Sequence, residues 1–74
     1  MIRMERIEPA HNRRRFYTVT PGQTLWGWAV LCEWGRLGEQ SRGRRVFGAT
    51  TETAAEVMAA EVVAGKLGRG YRVR

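Results

Sequence analysis

Apolar and polar residues alternate from Met1 to Ile7, with Met4 out of step and Pro9 ending the run, which predicts a short edge strand. Phe16-Tyr17-Thr18-Val19-Thr20 is a dense aromatic and β-branched run ahead of Pro21-Gly22, so a second strand followed by a turn is expected there. The two-residue period of a strand puts Tyr17 and Val19 on one face, Phe16 and Thr18 on the other. From Leu25 to Trp34 apolar residues fill both parities: Trp26, Trp28, Val30 and Cys32 against Leu25, Ala29 and Leu31. That predicts a central strand buried on both faces over part of its length, with a bulge at Gly27. Gly35 and Gly38 flank a turn, Glu39 to Gly43 reads as a loop, and Arg44 to Ala49 reads as a fourth strand antiparallel to the third.

The period changes at Thr50 and Thr51, either of which can cap a helix, and Glu52 and Glu56 suit its positive dipole end. Ala55, Met58, Ala59 and Val62 recur at helical spacing with Val63 beside them, predicting a helix over about Thr51 to Lys66 with a narrow apolar stripe. Gly68 is the expected left-handed cap, Lys66 complements the dipole, and Tyr71-Arg72-Val73 returns to the sheet. Gly65 to Gly70 superficially resembles a phosphate loop. It follows a helix and meets the carbonyl end, whereas a phosphate loop presents N-terminal amides.

The predicted fold class is α+β: a twisted antiparallel β-sheet of four or five strands with one α-helix packed on one face. Residues 1–74 are read as a single domain, with residues 1–12 partly mobile. A helix offering alanine, valine and methionine is a thin cover, so a leftover apolar patch involving Leu25 or Trp26 would suit a homodimer. Trp28, midway along its strand, is expected in the core, and Trp26, nearer the turn, at the surface.

Charge changes the picture. The chain carries 13 basic and 7 acidic residues, a formal net charge of +6. The basic residues cluster at Arg13-Arg14-Arg15, at Arg42-Gly43-Arg44-Arg45, and at Lys66, Arg69, Arg72 and Arg74. Such clustering is the footprint of a phosphate-binding face, although basic loops also simply keep a small domain soluble. Cys32 is the only cysteine and His11 the only histidine, which leaves no intramolecular disulfide and no metal site, so no cofactor is expected. No nucleophile, base or acid pair with catalytic spacing stands out, and the protein is read as a non-enzyme. No apolar run reaches signal-peptide length or the roughly 20 residues of a membrane span, so a cytoplasmic protein with no membrane partner is expected.

Trp34-Gly35-Arg36 places an indole, able to stack on a sugar or base, beside a guanidinium, able to grip a phosphate at two points. On packing tendency alone Trp34 would be a core residue. Arg36 would equally serve by closing over Trp28 or Trp34 in a cation–π contact worth about 0.5–2 kcal/mol.

Four blocks occur in order: Asn12 with Arg15-Phe16-Tyr17; Trp28 leading into Trp34-Gly35-Arg36-Leu37-Gly38; the helix from Thr51 to Val63; and Lys66-Leu67-Gly68-Arg69-Gly70-Tyr71. Together they span almost the whole chain, which resembles the WGR domain, named for that tripeptide and found in poly(ADP-ribose) polymerases and as short free-standing bacterial proteins. The resemblance implies the same fold. In the polymerases the motif tryptophan packs on the sugar of a terminal nucleotide at a DNA break and the motif arginine lies in the same contact region, which implicates Trp34 and Arg36. With the basic segments, the expected nucleic-acid contacts are Trp34, Arg36, Asn12, Arg14, Arg42 and Arg44, for DNA rather than RNA, and in a bacterial cell with the nucleoid. The run Glu39-Gln40-Ser41-Arg42-Gly43 departs from the glycine-richer, less acidic loop usual in the family and sets Glu39 beside the phosphate site. The polymerases' transferase activity belongs to a separate domain. Their WGR domain also touches neighbouring domains, so the alternative is a protein-interaction module, meeting an acidic protein or a second copy without nucleic acid.

Overall fold

A computed structural model describes all residues, Met1–Arg74. Strand β1 (Ile2–Glu8) leads through a 3-10 turn at Pro9–His11 into β2 (Arg13–Thr24), β3 (Gly27–Arg36) and β4 (Ser41–Ala49); helix α1 (Glu52–Leu67) and the short β5 (Arg72–Val73) complete the chain. The strands form one antiparallel sheet in the order β4-β3-β2-β1-β5, and α1 packs across β2, β3 and β4 on one face. The expected α+β architecture is present, with the fifth strand. Each strand except β5 follows its neighbour by a short connection, as sequential antiparallel strands do.

The helix obeys its sequence signals closely. The Thr51 hydroxyl accepts a hydrogen bond from the Ala54 backbone N–H at 3.0 Å, so Thr51 and not Thr50 is the cap. Ala55 and Ala59 are buried, and their small size lets the helix lie close against Val19, Val30 and Cys32. Met4 and Tyr71 complete this core, with Tyr17, Trp28, Trp34, Phe47, Met58, Val62 and Val63 packed around it. Burying each of the larger side chains contributes about 1.5–3 kcal/mol.

Four local expectations are corrected. First, β1 is not an edge: Met4 and Glu5 pair with Val73 and Arg72 of β5. Met4 keeps step with Ile2 and is completely buried, whereas Ile7 is the residue that faces out. Second, β2 does not stop at Pro21-Gly22 but runs to Thr24, and the hairpin turns at Leu25-Trp26. Proline is tolerated at position 21 because β1 ends opposite Val19, leaving that side of β2 without a partner to receive an N–H. Leu25 is consequently in the turn rather than in a buried strand, and Gly27, at φ +120°, belongs to the turn and not to a bulge. Third, the register shift lies between Trp34 and Gly35, opposite Gly43 and Ser41, so β4 starts within the expected loop and carries Arg42 as its extra residue. Fourth, Gly68 keeps right-handed helical geometry, with its N–H on the Ala64 carbonyl, and the left-handed residue is Gly70.

The molecule measures 42 × 24 × 15 Å. Twelve residues of β2 at about 3.4 Å each span about 40 Å, so the β2–β3 hairpin sets the long dimension. No helix is long and apolar enough to cross a membrane.

Candidate nucleic-acid interface

Antiparallel register assembles the site. Arg15 pairs with Arg36 and Tyr17 with Trp34 across β2 and β3, and alternation puts all four side chains on the helix-covered face at the end remote from the Leu25-Trp26 turn. Trp34 stacks on Tyr17 with ring centroids 5.9 Å apart and planes at 9°. Its indole then crosses Gly43 of β4: a Cβ there would come within 2.5 Å of the ring, so only glycine leaves room. Gly35, the middle residue of the tripeptide, is constrained on the opposite face, where a Cβ would lie 2.8 Å from the Phe16 ring. The motif is therefore a packing unit as well as a surface feature. Trp34 is half-buried and packs against the core.

Tyr71 meets Tyr17 edge-on at 6.2 Å, and the Lys66 ammonium sits 4.3 Å above the Tyr17 ring and 5.7 Å from that of Tyr71. The Arg45 guanidinium lies 5.1 Å over Phe47. Together with Arg15, Arg36 and Arg42 these groups enclose an open cavity of about 510 Å³ whose walls contain five cations, five aromatic rings and no carboxylate. Partial burial, and secondarily Arg69, hold the Lys66 ammonium below the usual lysine range. Tyr17 is pushed up to about 12, first by burial and then by the neighbouring Cys32 thiol. In both groups the first cause is burial, which disfavours whichever form is charged: the phenolate of Tyr17 and the ammonium of Lys66.

The cations differ in how they are engaged. Arg36 holds Glu39 at 3.4 Å through Nε and donates to the Asn12 side-chain carbonyl at 3.4 Å. Arg15, Arg42, Arg45 and Lys66 form no ion pair. Elsewhere Arg3 and Arg74 bind Glu5, Arg6 and Arg13 bind Glu8, and Arg44 binds Glu33.

Of the residues expected from the sequence, Trp34, Arg36 and Arg42 converge on the cavity. Asn12, in left-handed geometry at φ 51°, reaches its rim through Arg36. Arg14 and Arg44 do not join them. Arg14 alternates with Arg15 and so faces away, and Arg44 stands opposite Glu33 with its guanidinium 3.4 Å from that carboxylate. Sequence reasoning missed Arg15, Arg45 and Lys66. The first two were recoverable by counting in twos, from Tyr17 to Arg15 and from Phe47 to Arg45. Lys66 stands out in the sequence as part of a basic cluster and as a dipole partner, but its place over Tyr17 depends on where the helix end docks. Nor does Arg36 close over Trp28 or Trp34; the cations over rings are Arg3, Arg45 and Lys66.

A family model, the WGR domain, matches residues 1–74. No curated protein and no solved structure matches the chain. WGR domains are commonly nucleic-acid-binding modules, binding rather than catalytic. Since the match runs the full length of the chain and the tripeptide it is named for borders the cavity, this chain belongs to the WGR domain family.

Proposed function

We propose that the chain binds DNA at an end or break, seating a terminal sugar against Trp34 and the adjoining phosphates on Arg36, Arg42, Arg45, Arg15 and Lys66. The observation that carries this reading is a cavity with five cations and no acid in its walls, four of those cations unpaired. Unpaired guanidinium groups are free to take phosphate oxygens in two-point fashion, and the aromatic walls supply flat faces for sugar or base. The volume supports a terminal unit rather than the body of a duplex, because about 300–1,000 Å³ is the range of pockets for single small ligands. An acidic peptide would meet the same charge but brings a ring only where it carries an aromatic residue, whereas every nucleotide brings a sugar and a base with its phosphate.

The test is a salt-resolved titration of blunt duplex against covalently closed DNA. Arg45→Ala and Arg36→Ala should each lower the slope of log K against log salt by about 0.9, one phosphate's share. Arg44→Ala, engaged with Glu33 on the other face, should change neither slope nor affinity. Equal binding of closed and open DNA would refute end recognition, and equal losses at Arg44 and Arg45 would refute the cavity as the site.

A further inference from the structure

At the other end of the β2–β3 hairpin, Leu25 and Trp26 are 93% and 92% exposed. We propose that the chain forms a twofold dimer in which this tip of each copy seats in the groove formed by Val30, Phe47, Met58, Glu61 and Val62 of the other. The tip is a fixed projection: the Thr24 hydroxyl donates to the Gly27 carbonyl at 2.9 Å and accepts from the Trp26 N–H at 3.1 Å. Holding two large apolar side chains in water on a braced turn leaves their burial free energy available to a partner at little further entropic cost.

Charge selects the partner. No residue from Phe16 through Cys32 is ionisable except the buried Cys32 and Tyr17, in a chain of net charge +6, so the tip has no cation to offer DNA or an anionic membrane. The groove is complementary. It has a volume of about 280 Å³, four of its five lining residues are apolar, and Glu61 at its rim can accept the indole N–H. Val30 lies four residues along β3 from Trp26, about 13 Å. Two hairpin ends overlapping by that length about a twofold axis bring each tip to the other's groove at once, a self-complementary interface. A tryptophan buries about 150–250 Å². With Leu25 added, the two tips bury on the order of 600–800 Å² and the shallow groove walls little more, which falls below the roughly 1,200 Å² of standard specific interfaces and makes the dimer a weak, concentration-dependent one. The basic cavities would lie at the outer ends, with Arg15 about 30 Å along β2 from Thr24, well beyond the screening length of about 8 Å.

Sedimentation equilibrium on the full chain without DNA tests this independently of nucleic-acid binding. The parent should show a concentration-dependent dimer, and Trp26→Ser, a change in a fully exposed side chain, should weaken it at least tenfold with an unchanged circular dichroism spectrum. Dilution of the parent should shift the NMR signals of Val30, Phe47, Met58 and Val62. Met58→Glu should also be monomeric, and mixing it with Trp26→Ser should restore a weaker dimer, since each mixed pair keeps one intact tip and one intact groove. If Met58→Glu fails to fold, Trp26→Ser and the dilution shifts decide. A parent that stays monomeric to about 1 mM, a Trp26→Ser dimer as tight as the parent's, or dilution shifts on the helix-free face of the sheet would each overturn the proposal. Monomeric protein whose Trp26 binds zwitterionic vesicles would overturn it too.

Discussion

The two ends of the β2–β3 hairpin are built from the same strands and share one core, yet they present opposite surfaces. At the Arg15 and Arg36 end, cations stand on a floor of stacked rings, and the indole of Trp34 is half-buried between Tyr17 and Gly43. At the Leu25-Trp26 end the hairpin itself carries no Asp, Glu, Lys or Arg from Phe16 to Cys32, and the indole of Trp26 is nearly fully exposed. Neighbours, not residue type, decide what a tryptophan does. Trp34 has a strand on each side and a ring to stack on, so its burial supports the fold while one edge remains open. Trp26 sits beyond the end of β1, where the hairpin has outrun most of the sheet, and nothing covers it.

The most severe way to break the comparison is to remove what the ends share. Ala59 is buried where α1 meets the sheet, so Ala59→Glu forces an unpaired carboxylate into a core whose whole stability is about 4–11 kcal/mol at this length. The expected result is loss of the cooperative melt, or a Tm lowered by at least about 15 °C, with both surfaces lost together. An unchanged Tm would mean that the helix does not bear on the sheet through this residue.

Gly43→Ala strikes one end alone. The new methyl group would collide with the Trp34 ring, which cannot retreat because Tyr17 lies behind it. Overpacking of this kind costs about 1–3 kcal/mol, or about 5–20 °C in Tm for so small a domain. DNA affinity should fall as well, while Trp26→Ser, at the other end, should leave DNA affinity unchanged. Equal melting of Gly43→Ala and the parent would show that the Trp34 stack is not a fixed part of the fold.

The smallest effect sharpens the cavity end. Glu39 holds Arg36 in a largely exposed pair that a bound phosphate would have to displace, and such pairs are worth about 0.2–1 kcal/mol. Glu39→Gln should therefore tighten DNA binding by about 1.5- to 5-fold and leave Tm nearly unchanged. Weaker binding by this variant would mean that Glu39 orients Arg36 for its ligand instead of obstructing it.

The sequence by itself determined the element order, the helix with a threonine cap at Thr50 or Thr51 and its narrow apolar stripe, and the faces of Tyr17, Val19, Phe16 and Thr18. Those features depend on local period and capping chemistry, which neighbours along the chain supply. Only the tertiary structure decided where β2 ends, because Pro21 is acceptable solely where β1 no longer pairs, and that boundary is set by the pairing of Val19 with Ile2, 17 positions away. It also decided which basic residues act together. Arg14 and Arg15, or Arg44 and Arg45, are equivalent in composition and charge, and a single step of register sends one of each pair to the cavity and the other to the opposite face. Lys66 belongs to the site only because the helix end docks above Tyr17, a contact between residues 49 positions apart that no local pattern encodes.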